Sequence, residues 1–286
     1  MKEFSDYIRY IEGEIAGTNL DKDPQNLFDP LKYFLSLGGK RIRPLLTILG
    51  GNIFQVPKEE SIHAALCIEF FHNFSLIHDD IMDAAPVRRG KATVHTKWNP
   101  SVAILSGDAL FIEAYQQLAK YTDSRLPALL KRFDETAIEV CQGQQLDMDY
   151  ESRNDVTETE YIEMIRLKTS VLLGCALEFG AILANQSAEI CARLYEFGVS
   201  LGIAFQIQDD ILDLYGDPKL FGKQVGGDIL ANKQTLLFIH ARNVADPTHQ
   251  RDFKTLLEME ATTEKIDFAK RLFLENGTLT HVKGRM

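Results

Sequence analysis

The sequence predicts an all-α protein. Apolar residues recur at helical spacing through long runs, no stretch alternates as a series of strands between hairpin turns, and the breaks between runs are short Gly, Pro, Asn and Asp turns. In chain order the periodicity predicts helices near residues 3–16, 29–37, 43–53, 59–84, 101–121, 124–150, 158–184, 187–215, 228–245 and 262–275. The turns and caps between them come from Gly38-Gly39, Asn52 to Pro57, Ala85-Pro86, Asn99-Pro100, Asp123-Ser124, Asn185-Gln186-Ser187 and Gly216-Asp217-Pro218. None of these breaks is long enough to be an interdomain linker, so residues 1–286 are expected to form a single helical domain. Near the end, Glu264 to Glu275 is amphipathic and Asn276-Gly277 stops it, while Thr278 to Met286 shows no packing pattern.

Composition excludes several functions. At 286 residues, 45% hydrophobic and 25% charged, the chain has the make-up of a globular protein with a sizeable core. A net charge of −10 argues against a nucleic-acid partner, which would need clustered Lys and Arg. The basic residues that exist are concentrated in two islands, Lys40-Arg41-Ile42-Arg43 and Arg88-Arg89-Gly90-Lys91, which suit a small polyanion held at one point. The N-terminus lacks the apolar core of a secretory signal, and the most apolar run, Val171 to Ala184, is too short to span a membrane. A cytoplasmic protein without a transmembrane segment is expected. Cys67, Cys141, Cys175 and Cys191 sit singly among largely apolar neighbours and read as reduced core residues.

Two aspartate pentads carry the chemistry: Asp79-Asp80-Ile81-Met82-Asp83 and Asp209-Asp210-Ile211-Leu212-Asp213, each following an apolar run. Positions i and i+4 of a helix share a face, so the first and last Asp of each pentad converge, and both clusters are expected to serve one cavity. Carboxylates gathered at the end of an apolar helix need a cation, and an all-oxygen cluster suits Mg²⁺ that also binds substrate phosphates. Neither pentad has the alternating ligands, central Gly and distal Glu of a Ca²⁺ loop. Glu69-Phe70-Phe71-His72 has the Glu-x-x-His spacing of a di-metal carboxylate site, but no second such pair accompanies it. His72 lies two turns before Asp79 on the same face and can point towards the acidic cluster, whereas His78 points elsewhere and reads as structural. Two Asp triads, two adjacent Arg, a Lys-x-x-Arg loop and isolated Lys further on are equipment for holding diphosphates.

In this setting the chain resembles the trans-isoprenyl diphosphate synthases of the polyprenyl synthetase family. The resemblance runs from Gly38 to about Lys233 through Gly-Gly-Lys40-Arg-Ile-Arg43-Pro, Ser-Leu-Ile-His-Asp79-Asp80-Ile-Met-Asp83, Arg88-Arg89-Gly, Gly107-Asp108, Gly143-Gln144, Lys168-Thr169, Phe205-Gln206-Ile-Gln-Asp209-Asp210-Ile-Leu-Asp213, Gly222-Lys223 with Asp228, and Lys233. It implies the all-α isoprenoid synthase fold, with long helices around a deep central cavity, and usually a homodimer. It also implies head-to-tail condensation of isopentenyl diphosphate with an allylic diphosphate. Carried over by position, Asp79, Asp83 and Asp209 are the Mg²⁺ ligands of a site of three ions, supported by Asp80, Asp210 and Asp213. Arg88, Lys168, Lys223 and Lys233 contact the allylic diphosphate, and Lys40, Arg43, His72 and Arg89 hold isopentenyl diphosphate without metal. Thr169 and Gln206 lie where the family stabilises the developing allylic cation.

Two alternatives share parts of this pattern. A class I terpene cyclase replaces the second Asp triad by an Asn/Asp, Ser/Thr, Glu set and has no basic loop for a second diphosphate. A non-catalytic regulatory subunit usually loses Asp or Arg from these motifs, and here they are intact. Members of the family usually continue with further C-terminal helices, which this chain is expected to lack. For product length, a single aromatic Phe74 beside the small Ser75, with no insertion in the pentad, resembles archaeal C20 geranylgeranyl synthases. Aromatics at both positions resemble animal farnesyl synthases, and a pentad lengthened by two residues resembles bacterial ones, so C15 is the main rival.

Overall fold

The computed structural model describes residues 2–217, 226–244 and 246–286. Its contacts divide the chain into two compact units, Met1–Glu135 with Leu172–Glu196, and Thr136–Val171 with Phe197–Met286.

The first unit is built around α4 (Lys58–Met82), which packs against α3 (Ile42–Asn52) and α6 (Pro100–Leu118). Glu59 and Glu60 complement the positive end of the α4 dipole. Beyond them Ala64, Ala65, Cys67, Ile68 and Phe70 are fully buried, the mark of a helix enclosed on several sides. α1 (Lys2–Ala16) and α2 (Gln25–Ser36) complete this layer. The expected helix over 101–121 starts one residue earlier because Asn99 caps it, accepting from Val102 N at 2.9 Å, with Pro100 in the first turn. The four-residue α5 (Val94–Lys97) was not legible in the sequence.

One feature departs from an all-helical reading. Val87–Arg88 (β1) and Lys91–Ala92 (β2) pair antiparallel, Val87 with Ala92 and Arg88 with Lys91. Arg89 and Gly90 form the turn with φ of 52° and 73°, the two positive values of the turn that matches strand twist. The ladder is two residues long and has no alternating apolar pattern to announce it. It sets the spacing of Arg88 and Arg89.

In the second unit, α8 (Glu158–Ile165) opens on a capping box: Glu160 N donates to Thr157 Oγ1 at 3.2 Å and Thr157 N donates to Glu160 Oε2 at 2.8 Å. The expected continuous helix over 158–184 is interrupted by a π turn at Arg166–Ser170 before α9 (Val171–Leu183), which from Leu172 onward belongs to the first unit. α7 (Leu126–Glu151) and α10 (Ala188–Tyr215) supply residues to both units. Among the described residues α10 is the one helix long and apolar enough to cross a membrane by length and composition, yet its last turns carry Asp209, Asp210 and Asp213.

The expected helix over 228–245 is split into α11 (Gly227–Leu230) and α12 (Leu236–Asn243), with Asn232 between them at φ 52°. After α12 the structure corrects the sequence reading. Asp246 caps an unanticipated α13 (Pro247–Glu258), its carboxylate accepting from Thr248 N and His249 N. Following α14 (Thr263–Glu275), the tail that showed no packing pattern forms α15 (Thr278–Arg285), with Thr278 and Val282 fully buried one turn apart. Phe238, Phe253, Leu256, Phe273 and Val282 pack these C-terminal helices into one core.

None of the four cysteines forms a disulfide among the described residues; Cys67, Cys175 and Cys191 are buried as expected, and Cys141 is exposed instead. A buried ion pair secures the first basic island. Arg41, at φ 49°, reaches Glu69 at 2.5 Å, and both side chains are at most 3% exposed. Glu69 also accepts from Asn73 Nδ2 at 2.9 Å, so the Glu-x-x-His spacing serves a structural anchor and not a metal. Replacing Arg41→Met leaves a buried carboxylate uncompensated and should cost about 3 kcal/mol in urea unfolding. A loss below about 1 kcal/mol would mean the anchor is dispensable.

Candidate active site

In the first unit, α4 delivers His72, Phe74, Ser75, Asp79 and Asp80 on successive turns, and Asp83 caps its end. Asp83 is exposed and Asp79 half-buried, while Asp80 is 1% exposed. Arg88 Nε donates to both Asp80 oxygens, at 2.8 and 3.0 Å. Burial pushes the Asp80 carboxyl up and Arg88 pulls it back only in part. Asp80 thus orients an arginine, leaving Asp79 and Asp83 as the more accessible pair of the triad.

The basic residues gather behind them. Arg89 donates to Gly38 O, which lays its guanidinium against the Gly38-Gly39 turn that leads to Lys40. Arg43 donates to His72 Nε2 at 3.1 Å. Burial, then the Arg43, Arg89, Arg88 and Arg41 charges, hold the His72 imidazole well below its ordinary range, so the ring is neutral and able to accept that bond. Burial lowers Arg43 to about 10, and its Nε is a buried donor with no hydrogen-bond partner among the described residues. Arg43, Arg88 and Arg89 beside a neutral histidine, the first with an unused donor, suit an anion, whereas Arg41 is held by Glu69.

Farther from the acidic end, Phe74, the residue expected to set product length, joins an aromatic stack. Phe74 lies on Phe111 of α6 at 4.8 Å and 12°, and Phe71 touches both rings. His78 is structural as expected, packing on Phe74 and reaching Ile104 O at 3.1 Å. Ser75 Oγ donates to His72 O at 2.9 Å and is half-buried.

In the second unit, Lys168, Thr169, Gln206, Asp209, Asp210, Asp213 and Lys233 line one cavity of about 220 Å³, together with Asp147, Tyr161 and Asp228. The π turn places Lys168 and Thr169 there by adding a residue to the helical ladder. Two glycines admit that wider turn: a Cβ on Gly143 would sit 2.2 Å from Lys168 N, and one on Gly202 would sit 2.6 Å from Ser170 Cα. This gives the Gly143-Gln144 motif a physical meaning.

Asp210 is deeply buried and held by Tyr161 Oη and by Gln206 Nε2, the latter at 3.1 Å. Burial pushes its carboxyl up to about 7 against those bonds. Asp213 accepts from Asp228 N at 3.1 Å. Thr169 Oγ1 donates to Gln206 Oε1 at 3.4 Å, so the two dipoles expected to face a cation are adjacent. Lys223 lies outside the described residues.

The sequence reading missed Asp147 and Tyr161. Asp147 accepts from Lys168 at 2.5 Å and lies 3.9 Å from Lys233. Burial would raise its carboxyl, but the Lys233 and Lys168 charges and the Lys168 hydrogen bond hold it below its ordinary value. It sits one turn after Gly143, the available signal; Tyr161 carries none. A larger cavity of about 520 Å³ in the first unit is a weaker candidate. Its arginines are already spent, Arg125 on Asp123 and Glu60 and Arg132 on Glu178.

Helices that present Asp triads beside Lys and Arg are those of the all-α isoprenoid synthase fold. A crystal structure of geranylgeranyl pyrophosphate synthase superposes with a TM-score of 0.90 at 41% identity, covering 99% of this chain and 88% of that one. Residues 24–273 match the polyprenyl synthetase family, and the chain belongs to that family of trans-prenyltransferases. Among curated relatives, the geranylgeranyl diphosphate synthase of Methanosarcina mazei is 39% identical over 264 residues, 91% of this chain and 79% of that one. The geranylfarnesyl diphosphate synthase of Aeropyrum pernix is 38% identical over 272 residues, 92% of this chain and 84% of that one.

Proposed function

We propose that this chain is a short-chain prenyltransferase that condenses isopentenyl diphosphate with dimethylallyl, geranyl and farnesyl diphosphates and makes mainly C20 geranylgeranyl diphosphate. The observation that carries the reading is the second unit's cavity, where two lysines, a Thr–Gln pair of oxygen dipoles and the second Asp triad line one wall system. Asp79, Asp83 and Asp209, with Asp213, have the all-oxygen chemistry that Mg²⁺ requires. Three such ions, when bound, would neutralise the leaving diphosphate as its bond to the allylic carbon breaks.

The chain's own residues do the rest. Lys168, fixed by Asp147, and Lys233, Arg88 and Lys223 hold the allylic diphosphate, and Asp80 aims Arg88. Lys40, Arg43, His72 and Arg89 hold isopentenyl diphosphate, with the unused Arg43 Nε available to a phosphate oxygen. Thr169 and Gln206 turn oxygen dipoles on the positive carbon left when the C–O bond breaks; the isopentenyl double bond attacks that carbon, and the new cation so formed loses a proton to the released diphosphate. Asp210 positions Gln206 rather than binding metal directly.

Relatives whose product names differ by one isoprene unit are equally similar, so the C20 assignment rests on the Phe74 floor. The protein is proposed to act as a cytoplasmic homodimer and a single domain. Four cysteines without a disulfide among the described residues fit a reducing compartment, and Ile104, Leu105 and Ile112 form an exposed apolar row along α6 that suits a second copy.

Incubation with isopentenyl diphosphate and each allylic primer, followed by sizing of the products, tests the reading; no elongation with any primer would end it. Arg89→Ala should raise KM for isopentenyl diphosphate by about 10- to 100-fold while changing that for the allylic primer much less, the size of one charge-assisted contact. Equal effects on both constants would refute the division of the two diphosphates.

A further inference from the structure

The last helix of the chain carries a side-chain cluster separate from the residues assigned to prenyl transfer. Glu158 opens α8, His240 lies in the last turn of α12, and His281 lies on α15. One ligand-capable atom from each is within 4.8 Å of the other two. His281 Nε2 is 3.2 Å from Glu158 Oε2, and the two imidazole rings stack with centroids 4.0 Å apart at 24°. His240 Nδ1 is 2.9 Å from the hydroxyl of fully buried Thr278. With Nδ1–H donating to that hydroxyl, the ring is oriented and Nε2 keeps its lone pair for a metal.

We propose that Glu158, His240 and His281 bind a divalent transition ion of the Zn²⁺ class, which fastens α15 to α8 and α12. Two imidazoles and one carboxylate select Zn²⁺, Cu²⁺ or Ni²⁺ over Mg²⁺, whose preference is for oxygen. Tetrahedral Zn²⁺ with bonds of about 2.0–2.1 Å needs ligand atoms about 3.3 Å apart. The His281–Glu158 edge already has this length, and small side-chain rotations bring in the third ligand. An ordinary surface ion pair would use one histidine; here a second ring, tied at its other nitrogen to a buried hydroxyl, is brought to the same point. Glu158 and His240 are half-buried and His281 is exposed, so an ion can enter from solvent.

The test uses the full chain with excess Mg²⁺ present, so that the aspartate clusters do not compete for the probe. Zn²⁺ at about a hundred times its dissociation constant should raise the melting temperature by about 5 °C. His281→Gln, which preserves a hydrogen bond to Glu158 on an exposed position, should abolish the shift. Cu²⁺ bound to the wild type should show nitrogen coupling from two imidazoles by electron paramagnetic resonance, and His281→Gln should lose one of them. No Zn²⁺ shift, an equal shift in His281→Gln, or Cu²⁺ coupled to oxygen alone would each overturn the proposal. None of these readouts depends on prenyl transfer.

Discussion

Asp79→Ala and Asp209→Ala should each lower turnover by at least about 10³-fold while leaving the helical circular dichroism signal unchanged. The size follows from the several kcal/mol by which bound divalent cations stabilise a departing diphosphate. The fold should survive because both residues are half-buried and the helices that carry them are held by other side chains. On α4 these are Phe70, Phe71 and Ile77, and on α10 Ile207, Ile211 and Leu214. Steady-state assays across a Mg²⁺ titration measure the effect, and near-normal rates in either variant would remove that triad from the site.

Phe74→Ala should lengthen the product beyond C20, and Ser75→Phe should shorten it towards C15. Phe74 lies five residues before Asp79, about 7.5 Å along the helix axis at 1.5 Å per residue. On the proposed reading, a chain growing along α4 from the acidic end would meet this ring, and Phe111 stacked on it at 12° keeps the ring from swinging aside. Removing the ring opens a path past the floor, whereas a second ring at Ser75 raises it. Chromatographic sizing of products from a dimethylallyl diphosphate primer reads both changes. An unaltered product distribution in both variants would place the ruler elsewhere than on α4.

Much of the candidate site was legible because helical geometry is local. The i, i+4 spacing alone puts Asp79 with Asp83, and Asp209 with Asp213, on one face. The turn chemistry of Asn99-Pro100 marked the start of α6 nearly to the residue. What failed were features settled by neighbours distant in sequence. The π turn at Lys168-Thr169 depends on Gly143 of α7 and Gly202 of α10 leaving room for it, and its own residues would have continued an ordinary helix. The tail from Thr278 became a helix because Thr278 and Val282 find a core contributed by α12 to α14; a stretch this short has too little pattern to announce itself.

The sequence by itself determined the helical class, the two carboxylate triads and the basic islands, since each is a matter of residue type at short fixed spacing. Only the tertiary structure decided what each charge does. It gave Asp80 to Arg88, Asp147 to Lys168, Glu69 to Arg41 and Asp210 to Tyr161 and Gln206. Most of these pairings join residues far apart along the chain, and a buried charge takes whichever partner folding brings within hydrogen-bond reach, because leaving it unpaired costs more than any local preference supplies.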